Sequence, residues 1–134
     1  MSTTNIELIQ YAQELGINNF KVYMKDELIN NSPKDIECGI VNSDNSSGTG
    51  LHWICYYVNK KENKYYYFDS FGARIMKQVK DYIKQKSKIK INAHNFQIQQ
   101  FSEESCGFYC ILFLYLCQKG MQYEDIIFSF INDA

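Results

Sequence analysis

Proline occurs once in the sequence (Pro33), arginine once (Arg74) and tryptophan once (Trp53). No repeat, linker or low-complexity segment is present, and hydrophobic residues make up 46% of the chain against 22% charged. Disorder as the main character is thereby excluded. Neither sign of charge prevails: the net charge is −1, so the chain as a whole is no polyanion binder. Long apolar runs are missing too. The longest, Cys106 to Cys117, is twelve residues, well short of the ~20 that cross a bilayer, so no membrane association is expected. The polar start, Met1 to Asn5, is followed by charged residues and does not read as a signal peptide.

What is present fits one domain, residues 1–134. Folding at this size buries roughly two-thirds of the unfolded chain's surface, enough for a core without disulfide staples. Five cysteines make an odd count, so the thiols read as reduced and the compartment as cytosol-like. Aromatics reach 16%, with eleven Tyr and nine Phe, which favours strands and a tightly packed interior. The high use of Lys, Asn, Ile and Tyr suits an AT-rich genome.

Thr4-Asn5-Ile6-Glu7 has the capping-box pattern, and Leu8, Tyr11, Ala12 and Leu15 follow at helical spacing, so a helix is expected from about Asn5 to Leu15. Phe20 to Asn31 is mixed. Ile36 to Val41 reads as a short strand, and Asn42 to Gly50 as a polar loop. Leu51 to Val58 and Lys64 to Asp69 form a predicted β-hairpin around Asn59 to Asn63. Ile75, Val79, Tyr82 and Ile83 mark an amphipathic helix, and Ile89 to Ile91 and Phe96 to Gln99 are two further strand candidates. Cys106 to Gln118, apolar all round, is the predicted buried helix, stopped by Gly120 and followed by a last helix from Tyr123 to Ile131. The class is α+β: a small mixed or antiparallel sheet packed against a central buried helix, with flanking helices.

Cys106 falls at the predicted N-terminus of that buried helix, where unsatisfied backbone N–H groups and the helix dipole stabilise a thiolate. Gly107 beside it lets a substrate backbone come close. On position alone the residue is either a nucleophile or one more core thiol. A thiol nucleophile needs a base. His94 lies in a polar connection and reads as a solvated surface residue, whereas His52 lies on the first hairpin strand beside Trp53. If the hairpin turns about Lys60-Lys61, His52 stands directly opposite Asp69, where an acid could orient an imidazole. The bland alternative is a His and an Asp decorating a solvated strand. Gln99 and Gln100 precede Cys106 and could supply a side-chain amide to an oxyanion. Cys106, Cys110 and Cys117 share a helical face, but no second cysteine pair exists to complete a structural zinc site, and no metal is expected.

Taken in chain order, these residues run His, acid, Gln, Cys. The segments Cys38-Gly39-Ile40-Val41-Asn42, Gly50-Leu51-His52-Trp53, Tyr66-Tyr67-Phe68-Asp69-Ser70-Phe71-Gly72, Lys77-Gln78-Val79 and Ser105-Cys106-Gly107-Phe108-Tyr109-Cys110 resemble the adenoviral maturation proteases (adenain). The wider clan also holds the proteases that remove SUMO and ubiquitin-like proteins. The resemblance implies a cysteine endopeptidase that processes viral capsid or structural precursors. In it His52 is the general base, Asp69 the orienting acid, Cys106 the nucleophile and Gln100 the oxyanion donor. Trp53 and Gly107 would line a narrow cleft for small, glycine-type residues.

The chain departs from the adenoviral pattern at three places. Asp69 stands where Glu is usual, and the glutamine is one residue closer to the cysteine, which keeps Gln99 as the second candidate. No cysteine lies between Cys55 and Cys106 to tether an activating peptide by a disulfide. Other readings are a ubiquitin-like deconjugating isopeptidase and a non-catalytic capsid-binding module.

Arg74 to Lys90 carries seven basic residues against one acid (Asp81). As an isolated stripe this is a solvated helix face. Because the resembled proteases use DNA as a cofactor, weak DNA binding through Arg74, Lys77, Lys80, Lys84, Lys86, Lys88 and Lys90 is a secondary expectation. No other cofactor is expected beyond stimulation by DNA or a peptide partner. A monomer is expected, acting in host cytoplasm or nucleus at viral assembly sites and packaged in the virion.

Overall fold

A computed structural model of the chain describes residues 4–48, 52–85, 88–98 and 105–132. Helix α1 (Asn5–Glu14) opens with the expected capping box: the Thr4 side chain accepts from the Glu7 backbone, and the Thr4 backbone N–H donates to the Glu7 carboxylate. Strand β1 (Phe20–Met24) and a 3-10 turn (Lys25–Leu28) follow, then β2 (Ile36–Asn42), β3 (Trp53–Asn59) and β4 (Lys64–Phe68). Helices α2 (Lys77–Lys84), α3 (Cys106–Gln118) and α4 (Tyr123–Asn132) complete the chain. The described residues thus form an α+β fold with four α-helices and one four-stranded mixed sheet.

The sheet order is β1-β2-β3-β4, with β1 parallel to β2 and the other neighbours antiparallel. Alternation along β3 divides its side chains between two cores, as a strand buried on both faces requires. Trp53, Cys55 and Tyr57 join α1, α3 and α4 on one face, while Ile54, Tyr56 and Val58 join α2 on the other. Helix α3 packs on β3, and its buried run of Cys110, Ile111, Phe113, Leu114 and Cys117 forms the centre of the first core. Phe68 of β4 stacks on Phe113 of α3, with centroids 4.8 Å apart. Gly120, at φ +91°, takes the left-handed conformation that stops α3.

Three expectations are corrected. The mixed stretch after Phe20 contains β1, an edge strand with every residue half-buried, which shows no alternation to read. Ile89–Ile91 is not a strand. Only Asn92 makes a single parallel bridge to Tyr66, while Ile89 and Ile91 pack against the α2-side core without a ladder. The described part of Phe96–Gln99 is likewise no strand, although Ile98 is buried and its N–H donates to the Ser70 carbonyl at 3.1 Å. No helix among the described residues is long and apolar enough to cross a membrane.

Candidate active site

Two strand ends and a helix start meet at one end of the sheet. The β3–β4 ladder ends at the pair Cys55–Phe68, so His52 and Asp69 lie just beyond it, where the two strands part. The His52 carbonyl accepts from the Ser43 N–H at 2.8 Å, which ties it to the end of β2. Helix α3 reaches the same place from the other side. The Cys110 thiol donates to the Trp53 carbonyl at 3.5 Å, and the Cys55 thiol donates to the Cys110 carbonyl at 3.8 Å. One helical turn, about 5.4 Å, carries the chain from Cys110 back to Cys106 and so to the level of His52.

The predicted register is corrected by two residues. Cys55 pairs with Phe68 and Asn59 with Lys64, so the turn is centred between Lys61 and Glu62 rather than between Lys60 and Lys61. Continued outward, this register puts Phe71 across from His52, and their rings stack with centroids 4.2 Å apart. A slip of one residue would have sent Asp69 to the opposite face; a slip of two leaves it on the same face, diagonal to His52. The contact survives, with His52 Nε2 and Asp69 Oδ1 2.7 Å apart. A carboxylate can only accept, so Nε2 carries the hydrogen. Asp69 Oδ1 also accepts from the Phe71 N–H at 2.9 Å, and the Asp69 carbonyl accepts from the Gly72 N–H at 2.8 Å. These two bonds close a tight turn that fixes the carboxylate.

The His52 and Asp69 side chains are 14% and 5% exposed. Burial pushes the His52 imidazole down, but the hydrogen bonds and charges of Asp69 and Cys106 together raise it to about 9. With Nε2 engaged by Asp69, Nδ1 is the nitrogen left to face Cys106. It is buried and makes no hydrogen bond of normal geometry among the described residues. Cys106 begins α3, and both it and Gly107 are buried. The remaining thiols are also free and buried. Burial pushes Cys38 up to about 12 and raises Cys55, Cys110 and Cys117, which makes them poor nucleophiles.

The other predicted residues fall as follows. Trp53 is 2% exposed and belongs to the α3-side core, so it backs the site rather than presenting a broad face to it. Gln99 and Gln100 lie outside the described residues, as does Lys86. Arg74 and Lys80 are exposed, and exposed Lys77 pairs with Asp81 at 2.7 Å along α2. His94 is not the solvated residue expected. It is half-buried between the rings of Phe68 and Phe96, and its Nδ1 donates to the Phe96 carbonyl at 2.9 Å. Phe71 is a contact that sequence reading missed. Its one signal was position, two residues after the acid.

A buried thiol, an imidazole and a carboxylate, the side-chain types that a cysteine protease uses, gather on this α+β fold. The adenovirus endoprotease family matches residues 26–129, a span that contains all three. The chain belongs to that family, whose members are cysteine proteases and hence hydrolases. Among solved structures, it is similar to two crystal structures of the ASFV pS273R protease. The selenomethionine form gives a TM-score of 0.56 at 24% identity, covering 71% of this chain. The other gives 0.62 at 18% identity, covering 90%. This chain spans 39% and 58% of those two chains, respectively. The SUMO protease Ulp1, with its catalytic cysteine oxidised to a sulfinic acid, gives 0.48 at 15% identity, covering 94% of this chain and 74% of that one.

Proposed function

We propose that the chain is a cysteine endopeptidase that processes capsid or structural precursor proteins during maturation of a virus, cutting next to small, glycine-type residues. The observation that carries this reading is the single imidazole held at Nε2 by Asp69, 2.7 Å away, and acted on by Cys106. Membership of the adenovirus endoprotease family supports it.

In the proposed reaction the Cys106 thiolate attacks the scissile carbonyl carbon. The oxyanion that forms is held by the Cys106 backbone N–H and the side-chain amide of Gln100, or of Gln99 in its place. His52, an imidazolium at neutral pH, gives its Nδ1 proton to the departing amine as the C–N bond breaks, leaving a thioester on Cys106. Water then adds to the thioester with His52 taking its proton, and the thiolate leaves. Asp69 keeps the ring oriented and charged throughout without itself being protonated. Gly107, with no side chain beside Cys106, lets the substrate backbone come close, while Trp53 backs the site from the core. The place of action is the site of viral assembly, with the enzyme carried into the virion.

The test is incubation of the purified protein with candidate capsid precursors, wild type against Cys106→Ala. Specific fragments are expected from the wild type and none from the variant, whose circular dichroism stays unchanged. Undiminished cleavage by Cys106→Ala rejects the assignment.

A further inference from the structure

The turn that fixes Asp69 also carries an aromatic ring that the proposed reaction does not use. Phe71 lies two residues after the acid and stacks on His52, with ring centroids 4.2 Å apart and planes 11° apart. The backbone sets this stack. The Phe71 N–H donates to Asp69 Oδ1 at 2.9 Å, the same oxygen that accepts from His52 Nε2 at 2.7 Å. One carboxylate oxygen therefore holds both partners. The turn is braced as well: the Gly72 N–H donates to the Asp69 carbonyl at 2.8 Å, and the Ile98 N–H donates to the Ser70 carbonyl at 3.1 Å. Gly72 lies directly against the Phe96 backbone.

Nearly parallel rings at this separation bring the electron-rich face of the benzene ring against the face of the imidazole. Such a face attracts a cation within about 6 Å of its centre, and more strongly where water is excluded. His52 is an imidazolium at neutral pH, and its side chain is 14% exposed. The titratable groups that face it are Asp69, from the turn, and Cys106, from α3. Both engage the ring through its nitrogens, whereas Phe71 covers one of its flat sides. We infer that Phe71 is a positioning residue for the reaction: its ring fixes the plane of the His52 imidazole, keeping Nδ1 turned to Cys106, and favours the imidazolium over the neutral ring. The inference deepens the endopeptidase reading above and rests on it for its effect on cleavage. A side chain that merely excluded water would act with the opposite sign, since burial is what pushes His52 down.

Fluorinated phenylalanines placed at position 71 test it, because fluorine strips electron density from the ring face while nearly keeping its shape. The ring-carbon shifts of His52 read the titration and need no turnover. A pentafluoro ring is expected to lower the midpoint by about 0.5 to 1.5 pH units, and a monofluoro ring by less. Alkylation of Cys106 near pH 6 should slow in the same order, as the thiolate loses its counter-ion. Phe71→Tyr, which keeps the ring, should match the wild type in both measurements. On a cleaved precursor, kcat should fall with fluorination while KM stays. A midpoint that fluorination leaves in place overturns the inference, as does an equal fall in Phe71→Tyr. So does a KM that rises at constant kcat, which would make Phe71 a wall for the substrate. Should the pentafluoro ring disturb the fold, seen in the resonances of His94 between Phe68 and Phe96, the monofluoro ring decides. If the wild type cuts no precursor, the endopeptidase reading fails, and the titration alone decides the stack.

Discussion

Replacing Asp69 by Asn should move the titration of His52 further than any other single change. The imidazole stands at about 9 in the fold against 6.5 for a free histidine. That displacement corresponds to roughly 3 kcal/mol of preference for the imidazolium. Burial is the largest influence on it and acts downward, while the Asp69 hydrogen bond is the first of those acting upward. Without the carboxylate, His52 should therefore titrate near or below 6.5. A histidine raised on folding stabilises the fold fully below 6.5 and loses that contribution as pH rises through about 9. The stability gap between wild type and Asp69→Asn is accordingly expected to be largest near pH 6, at most about 3 kcal/mol, and to close by about pH 10. Ring carbon chemical shifts read the titration directly, because the chain has two histidines and the other, His94, is lowered by burial. Activity should fall as the imidazolium is lost, above about pH 9 in the wild type and at lower pH in the variant. A His52 that titrates near 9 in Asp69→Asn, or near 6.5 in the wild type, refutes the reasoning.

Three further changes test how the site is supported. Gly72 has φ +71°, and an added Cβ would lie 2.3 Å from the Phe96 carbonyl oxygen, so Gly72→Ala should displace the Asp69 turn. We expect a loss of about 1–3 kcal/mol in urea unfolding together with a drop in kcat. At Gly39 a Cβ would meet the Tyr56 ring at 2.6 Å, so Gly39→Ala should destabilise the sheet by about 1–3 kcal/mol in the same assay. The buried Glu37, 3% exposed, accepts from the hydroxyls of Tyr56 at 2.6 Å and Tyr82 at 2.5 Å. Tyr82→Phe should cost about 1–3 kcal/mol of stability while leaving cleavage intact, checked by unfolding and turnover on one preparation.

Legibility in the sequence followed how local the determining physics is. Helix α1 carried its own cap in Thr4 and Glu7, and α3 declared itself by being apolar on every side. The hairpin was legible as two strands, but not its register, because the four residues Lys60 to Asn63 turn with Asn63 at φ +56°, a backbone choice that composition does not announce. The contact between His52 and Asp69 came through only because the register error was even. Strand β1 escaped because it is a half-buried edge whose parallel pairing with β2 is a long-range fact. Ile89 and Ile91 misled for the opposite reason: their β-branched alternation serves packing against the α2-side core, with no partner ladder to complete.

The five buried thiols carry a consequence for handling the protein. Packing, not pairing, keeps them apart, since an odd number cannot all pair within one chain. That protection lasts only as long as the fold does. Unfolding releases all five into water at once, where air can couple chains at random. Denaturation without a reductant should then be a one-way event, with cross-linked oligomers growing at the expense of refoldable monomer, and the apparent melting temperature will depend on scan rate.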